Sequence, residues 1–358
     1  MLVQKHGVTY YDKEKATPGY TLYSRNNSDH IWLINMAGEV VHEWKSTGGS
    51  THFNYLRPNG NLFVCERVPE GPKLVAGKGG RLREYDWEGN VLWEHIDDHQ
   101  HHDGRRLENG NAVYIAWQEF DEKEAKLVKG GLPGTELDGK IYGEVIREVD
   151  ENGNIVWEFS NNSSEFINKY PLNPLAHRQE YGHANTISPM TNGDYLVSYR
   201  TLNLIIIIDR KTGKIKWEYQ NNDLGGQHDC QQLESGNILV FANGWNTHKD
   251  GPNFSQIWEI DQETKEIVWR YFPEKNALSF WSPHISGCQR LKNGNTLITE
   301  GGKGCIFEVT PDREVVWEYI NPFYGSHPAL PGQINWVFRA KRYAADSPEI
   351  GGRLESIK

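Results

Sequence analysis

A tryptophan-centred phrase recurs along this chain at intervals that only a repeated β unit explains. It reads Leu92-Trp93-Glu94-His95, Val156-Trp157-Glu158-Phe159, Lys216-Trp217-Glu218-Tyr219, Val268-Trp269-Arg270-Tyr271 and Val316-Trp317-Glu318-Tyr319. A sixth copy, Val40-Val41-His42-Glu43-Trp44, carries His where the others carry Trp. Each copy follows an alternating strand and a polar turn, as in Leu82-Arg83-Glu84-Tyr85-Asp86 then Glu88-Gly89-Asn90. Period-2 alternation broken by Asn-Gly or Gly-Asn is the signature of a β-hairpin. A second phrase alternates with the first: a His, a short strand, a Gly-containing turn and another strand. Its copies are His52…Asn59-Gly60-Asn61, His102…Asn109-Gly110-Asn111, His183…Asn192-Gly193-Asp194, His228…Ser235-Gly236-Asn237 and His284…Asn293-Gly294-Asn295.

Each unit is therefore two hairpins, and four antiparallel strands repeated every roughly 45–80 residues make the blades of a β-propeller. Five complete units run from His52 to Tyr319, flanked by Tyr20 to Trp44 with three strands and Gln333 to Tyr343 with one. The end pieces are complementary. The strand Ile334-Asn335-Trp336-Val337-Phe338 is expected innermost in a sixth blade completed by the N-terminal strands, which buries both open edges. The expected fold is thus all-β, a six-bladed propeller forming a single domain over residues 1–358, with blade six shared by about 20–44 and 333–343. A β-sandwich does not account for the unit repeat. The recurring Trp has a precedent in quinone-dependent propeller enzymes, but one large aromatic at a fixed place in each blade reads as inter-blade packing.

Composition narrows the partners. No apolar run approaches the ~18 residues of a membrane-spanning helix; Leu204 to Ile208, for instance, has five. The start MLVQKHGVTYYDKEK has no apolar secretory core. Net charge is −10, and no basic cluster is longer than Lys341-Arg342, which argues against nucleic acid and anionic membrane surfaces. Cys65, Cys230, Cys288 and Cys305 show no CxxC spacing, so reduced thiols and a cytoplasmic location are expected. No oligomeric state is assigned.

In a four-stranded meander the loops entering the first strand and those joining the second to the third share one end, and both hairpin turns share the other. His52, His102, His183, His228 and His284 all stand where first strands begin, so they are expected to gather around the axis on one face. Propellers bind ligands there. The insertions Gln118–Lys140 and Ser160–Gly182 emerge on that face and are expected to wall or cover it. The ends of the second strands, Glu66-Arg67, Trp117-Gln118, Tyr199-Arg200, Asn243-Gly244-Trp245-Asn246 and Glu300, supply the rest of the pocket. Arg200 shares a hairpin with His183 and Asn185, and a guanidinium beside an imidazole and an amide suits an oxyanion.

On these residues the chain resembles the arylsulfate sulfotransferases, bacterial six-bladed propellers that move a sulfuryl group between phenols through a sulfated histidine. The resemblance covers roughly Asp29 to Tyr343. It is sharpest at His183-x-Asn185 followed by Arg200, and at His228 one blade later. It implies His228 as nucleophile, His183, Asn185 and Arg200 as clamps on the sulfuryl oxygens, and His102 as a further pocket histidine. His284, His52, Trp245 and Glu300 complete the expected substrate-binding set. The best-known members are larger, periplasmic and carry an added N-terminal domain, and this chain looks closer to a short, propeller-only branch. A small aromatic or oxyanion substrate is expected, with no cofactor.

The chemistry is coherent without the family. A neutral imidazole attacks sulfur or phosphorus and divides one displacement into two, and preorganised donors stabilise the charge that grows on the equatorial oxygens. Asp229 adjoins His228, but neighbouring strand residues face opposite ways, so it is not expected to orient that ring. Two other readings stand beside this one. His102, His183, His228 and His284 form a possible ligand set for a divalent metal in a lyase or oxygenase, and a non-enzymatic propeller would use the same face to bind a ligand.

Overall fold

Alternating side chains become sheet wherever a polar turn reverses the chain, and this happens often enough here to build six blades. The structure is a computed structural model that describes residues 5–74, 76–245, 252–327 and 330–354. Blade one comprises Thr51–Leu56, Leu62–Arg67, Gly80–Tyr85 and Val91–Ile96. Blade two runs from Gln100–Arg106 to Ile155–Ser160, and blade three from Ala184–Pro189 to Lys214–Gln220. Blade four runs from His228–Gln232 to Ile267–Tyr271, and blade five from Gly287–Arg290 to Val315–Ile320. Every blade is an antiparallel meander.

Blade six closes the ring. Its innermost strand, Val337–Tyr343, pairs with Tyr20–Arg25, which is followed outward by His30–Ile34 and Val40–Lys45. The closing strand thus starts at Val337, three residues later than Ile334. Ile334 instead ends a hairpin arm, Leu330–Ile334, paired with Gly325–His327. Asn335 and Asn321 then exchange amide-to-carbonyl hydrogen bonds at 2.9 Å, which pins the chain outside the ladder before the strand begins. A further strand, Gly7–Tyr11, adds to the outer edge of blade five, so that blade has five strands.

The tryptophans are inter-blade staples. The indole N–H of Trp93, Trp217, Trp269 and Trp317 donates to the carbonyl of Glu151, Gln262, Pro311 and Met36, each in the third-to-fourth-strand turn of the next blade, at 2.7–3.1 Å. His42, the residue that replaces Trp in the sixth copy, makes the equivalent bond to the Trp87 carbonyl at 2.9 Å. A second link runs beneath it. The last Asn of the Gly turns donates to a third-strand glutamate in four blades: Asn61 to Glu84, Asn111 to Glu148, Asn237 to Glu259 and Asn295 to Glu308. Arg106, Arg290 and Arg342, each from the next blade, pair with Glu84, Glu259 and Glu308 and lie 3.9–4.7 Å over the faces of Trp93, Trp269 and Trp317. One Asn–Glu–Arg–Trp chain therefore joins neighbouring blades, with charge-assisted and cation–π contacts added to area burial.

Both insertions are ordered. The first holds the helix Glu122–Leu127, started by a capping box between Asp121 and Glu124. The second holds Ser164–Lys169, which buries Phe166 and Ile167. A parallel pair, Gly130–Leu132 with Leu172–His177, ties the two together. Among the described residues no helix is long and apolar enough to cross a membrane.

Removing Val337–Lys358 deletes the innermost strand of blade six, exposing the edge of Tyr20–Arg25. Such a chain should lose its cooperative thermal transition or melt well below the full chain. An unchanged melting temperature would contradict the closure.

Candidate functional site

A regular strand would send neighbouring residues to opposite faces. The first strands here break that rule where they begin. The register slips between Thr51 and Asn54, between Gln100 and Gly104, between Ala184 and Thr186, and between His228 and Gln231. Blade six slips likewise opposite Ser24, at Phe338 and Arg339. In blade five, Ile285 and Ser286 adopt left-handed conformations ahead of the strand. Bulges re-aim side chains, and these turn the repeat histidines toward the axis.

His52, His102, His183, His228 and His284 all line one cavity of about 440 Å³, together with Arg200 and Trp245. Phe338 forms its floor, with the rings of His102, His52 and His228 at 5.1, 6.4 and 6.5 Å from it. Trp336 stands between His284 (4.6 Å) and His327 (5.2 Å). Burial, reinforced for His228 by the Arg200 charge and for His102 by its neighbouring imidazoles, holds both well below the ordinary imidazole pKa. Burial likewise brings His52 and His284 down to about 4. These rings are therefore neutral at pH 7.

Hydrogen bonds select the tautomers. The Asn243 amide nitrogen donates to the carbonyls of Ser282 and Ile285, at 2.8 and 2.9 Å, so its oxygen must accept from His228 Nδ1, 2.8 Å away. His228 therefore keeps the lone pair on Nε2. Asp229 turns away, as expected, toward Arg339, Lys341 and the Cys288 amide. His183 Nδ1 donates to Glu180 Oε2 at 2.8 Å, and the other oxygen of Glu180 accepts the Trp117 indole at 2.6 Å. Burial opposes the charge on Glu180, but its pairing with His183 outweighs it and holds the carboxyl below its usual range.

Among the described residues, Arg200 stands in the cavity without a salt bridge. Its guanidinium lies 5.1 Å over Trp245, and it forms no ion pair or side-chain hydrogen bond among the described residues. Its Nε is shut off from solvent without a partner. The guanidinium is otherwise partly exposed to the cavity, where an anion would balance its charge. The ionic side chains of the lining are Arg67, Lys78 and Arg200 against Glu180, a positive pocket in a chain of net charge −10.

Two expected residues lie elsewhere. Asn185 does not line the cavity; its amide donates to the Gln227 carbonyl at 2.8 Å and so fixes the segment leading into His228. Glu300 does not line it either. A 3₁₀ turn, Gly301–Lys303, returns Lys303 to its carboxylate at 2.7 Å, and the Trp281 amide takes the same oxygen. Asn246 lies outside the described residues. Of the insertions, the second reaches the cavity through Ala176, His177, Gln179 and Glu180, while the first buttresses it from outside. The imidazole nitrogens that come within 4.8 Å of one another belong to His101, His102 and His183; His228 and His284, expected in a metal-type set, are not in this cluster.

Sequence reasoning missed His101 and Glu180. His101 adjoins a repeat histidine and would face away in a regular strand, but the bulge brings it in. Glu180 sits in an insertion with no counterpart in other blades; its only signal is its i−3 spacing from His183.

Two family models described as Arylsulfotransferase (ASST) match the chain, one over residues 13–224 and the other over 169–322. The chain belongs to the arylsulfotransferase family. Among curated proteins none matches it. Solved structures similar to it include a protein of unknown function from Bacteroides caccae, 14% identical, with TM-score 0.56 over 90% of this chain and 98% of that one. Virginiamycin B lyase from Staphylococcus aureus is also 14% identical, with TM-score 0.48 over 89% and 84%. For this arylsulfotransferase-family propeller, the likeness to the Bacteroides protein is one of fold.

If Arg200 awaits an oxyanion, inorganic sulfate should raise the melting temperature in a saturable way, since a ligand that binds only the folded state stabilises it by RT ln(1 + [L]/Kd). Arg200→Met should remove the shift. An equal shift in both proteins would place the anion elsewhere.

Proposed function

We propose that this protein transfers a sulfuryl group from an aryl sulfate to a phenolic acceptor, with His228 as the covalent carrier. The observation that carries this reading is an Arg200 without an ion pair among the described residues, partly exposed to the same cavity as a neutral imidazole whose tautomer Asn243 selects. Membership of the arylsulfotransferase family supports it.

In the first step the lone pair on His228 Nε2 forms an N–S bond while the S–O bond to the aryl group breaks, and the aryl oxygen leaves with that electron pair. In the second, the oxygen of an acceptor phenol bonds to sulfur, the phenol's proton passes to solvent, which also protonates the released phenolate, and the N–S pair returns to His228. No oxidation occurs. Arg200 holds the sulfuryl oxygens as charge builds on them. Phe338, Trp336 and Trp245 offer flat apolar faces to an aromatic ring. The lowered pKa of His228 keeps the attacking form available without a general base.

An activated aryl sulfate added without acceptor should release about one phenol per protein in a burst, leaving one sulfuryl group on His228 detectable by mass spectrometry. His228→Ala should abolish both signals, and Arg200→Met should slow the burst by roughly 10²–10³-fold. Because a depressed imidazole pKa leaves the neutral form dominant down to that pKa, the burst rate should hold from pH 8 to 6.5 and decline only at lower pH. Equal bursts with and without His228 would overturn the assignment.

A further inference from the structure

His183 cannot serve as a simple donor to a sulfuryl oxygen. Its Nδ1 proton is committed to Glu180, so the neutral ring turns a lone pair, not an N–H, toward whatever lies beyond Nε2. His101 repeats the pattern: its Nδ1 donates to the Ala184 carbonyl, leaving a lone pair on Nε2. That Nε2 is completely buried, makes no hydrogen bond, and lies 3.4 Å from Glu180 Oε1. His102 Nδ1 is likewise buried without a partner. One nitrogen from each of the three rings lies within 4.8 Å of the others. Three imidazoles, two of them with Nδ1 committed elsewhere, converging beside a carboxylate make a donor set that suits a cation.

The rings are also held as metal ligands are held. A histidine ligand characteristically gives its other N–H to a carboxylate or a backbone carbonyl, which selects the tautomer and raises basicity. His183 does the first through Glu180 and His101 the second through Ala184. Glycine at position 77 keeps the neighbouring space clear: a Cβ there would stand 2.2 Å from His101 Nε2 and 2.8 Å from His102 Nδ1.

We propose that His101, His102 and His183 form a site for a divalent transition metal, supported by Glu180, with a position open to the substrate cavity. Three imidazoles favour zinc, cobalt, nickel or iron over magnesium or calcium, which prefer oxygen ligands. His102 and His183 both line the cavity, so the open position faces the same space as Arg200, where an anion would bind. The metal then takes an oxyanion oxygen that a lone pair would repel. This goes beyond the transfer reading and stands without it, because His228 contributes no ligand.

Metal analysis of untagged full chain purified without chelator should find close to one transition metal per protein. After chelation, Co²⁺ titration should show saturable binding of one equivalent with visible d–d absorption. His101→Ala should weaken Co²⁺ binding by at least about 100-fold, and Glu180→Gln by about 10–100-fold. His228→Ala should bind Co²⁺ as the parent does while losing the sulfuryl burst, which separates this site from the transfer reading. No saturable Co²⁺ binding by the parent protein, or binding unchanged in both His101→Ala and Glu180→Gln, would overturn the proposal. Should His101→Ala fail to fold, the parent spectrum and Glu180→Gln decide alone.

Discussion

Arg339 holds the centre of the molecule. It comes from the closing strand of blade six, and its side chain is only 1% exposed. Its guanidinium pairs with Asp103 of blade two at 3.0 Å and with Asp229 of blade four at 3.4 Å. It also donates to the Asn185 carbonyl and the Thr186 hydroxyl of blade three, at 2.7 and 2.8 Å. Asp229 in turn accepts the Cys288 amide of blade five. One buried cation thus gathers five blades at the axis. A buried ion pair adds little over a well-packed apolar group, but removing one partner strands the other charges and costs several kcal/mol.

The same strand makes the site. Phe338, next to Arg339, is the cavity floor around which the histidines stand, and the bulge that aims Phe338 has counterparts in most other blades. Closure and pocket therefore form together. Enclosure then sets the electrostatics: it keeps His228 neutral and gathers positive side chains in an otherwise acidic protein, a field that favours anions.

The repeat was legible because each blade must bury one face and turn at fixed places, so Trp, His and Gly-Asn recur in register. What the turns do besides turning was hidden: Asn61, Asn111, Asn237 and Asn295 reach a glutamate distant in sequence. The start of the closing strand was misplaced because the apolar run through Ile334 does not reveal that Asn335 is tied to Asn321. At the site, equivalence in the repeat is what brings five histidines and Arg200 to one cavity. Alternation failed at His101 because a bulge overrides it, and Glu180 had no repeat equivalent to mark it. Asn185 and Glu300 were drawn off by backbone groups and by Lys303, partners that become adjacent only once the blades are formed.

Equilibrium urea unfolding of Arg339→Met tests the central role of this residue most directly. With Asp103 and Asp229 left buried and unpaired, stability should fall by about 3–5 kcal/mol relative to the parent chain. A loss below about 1 kcal/mol would contradict the view that one axial arginine holds the ring and its site together.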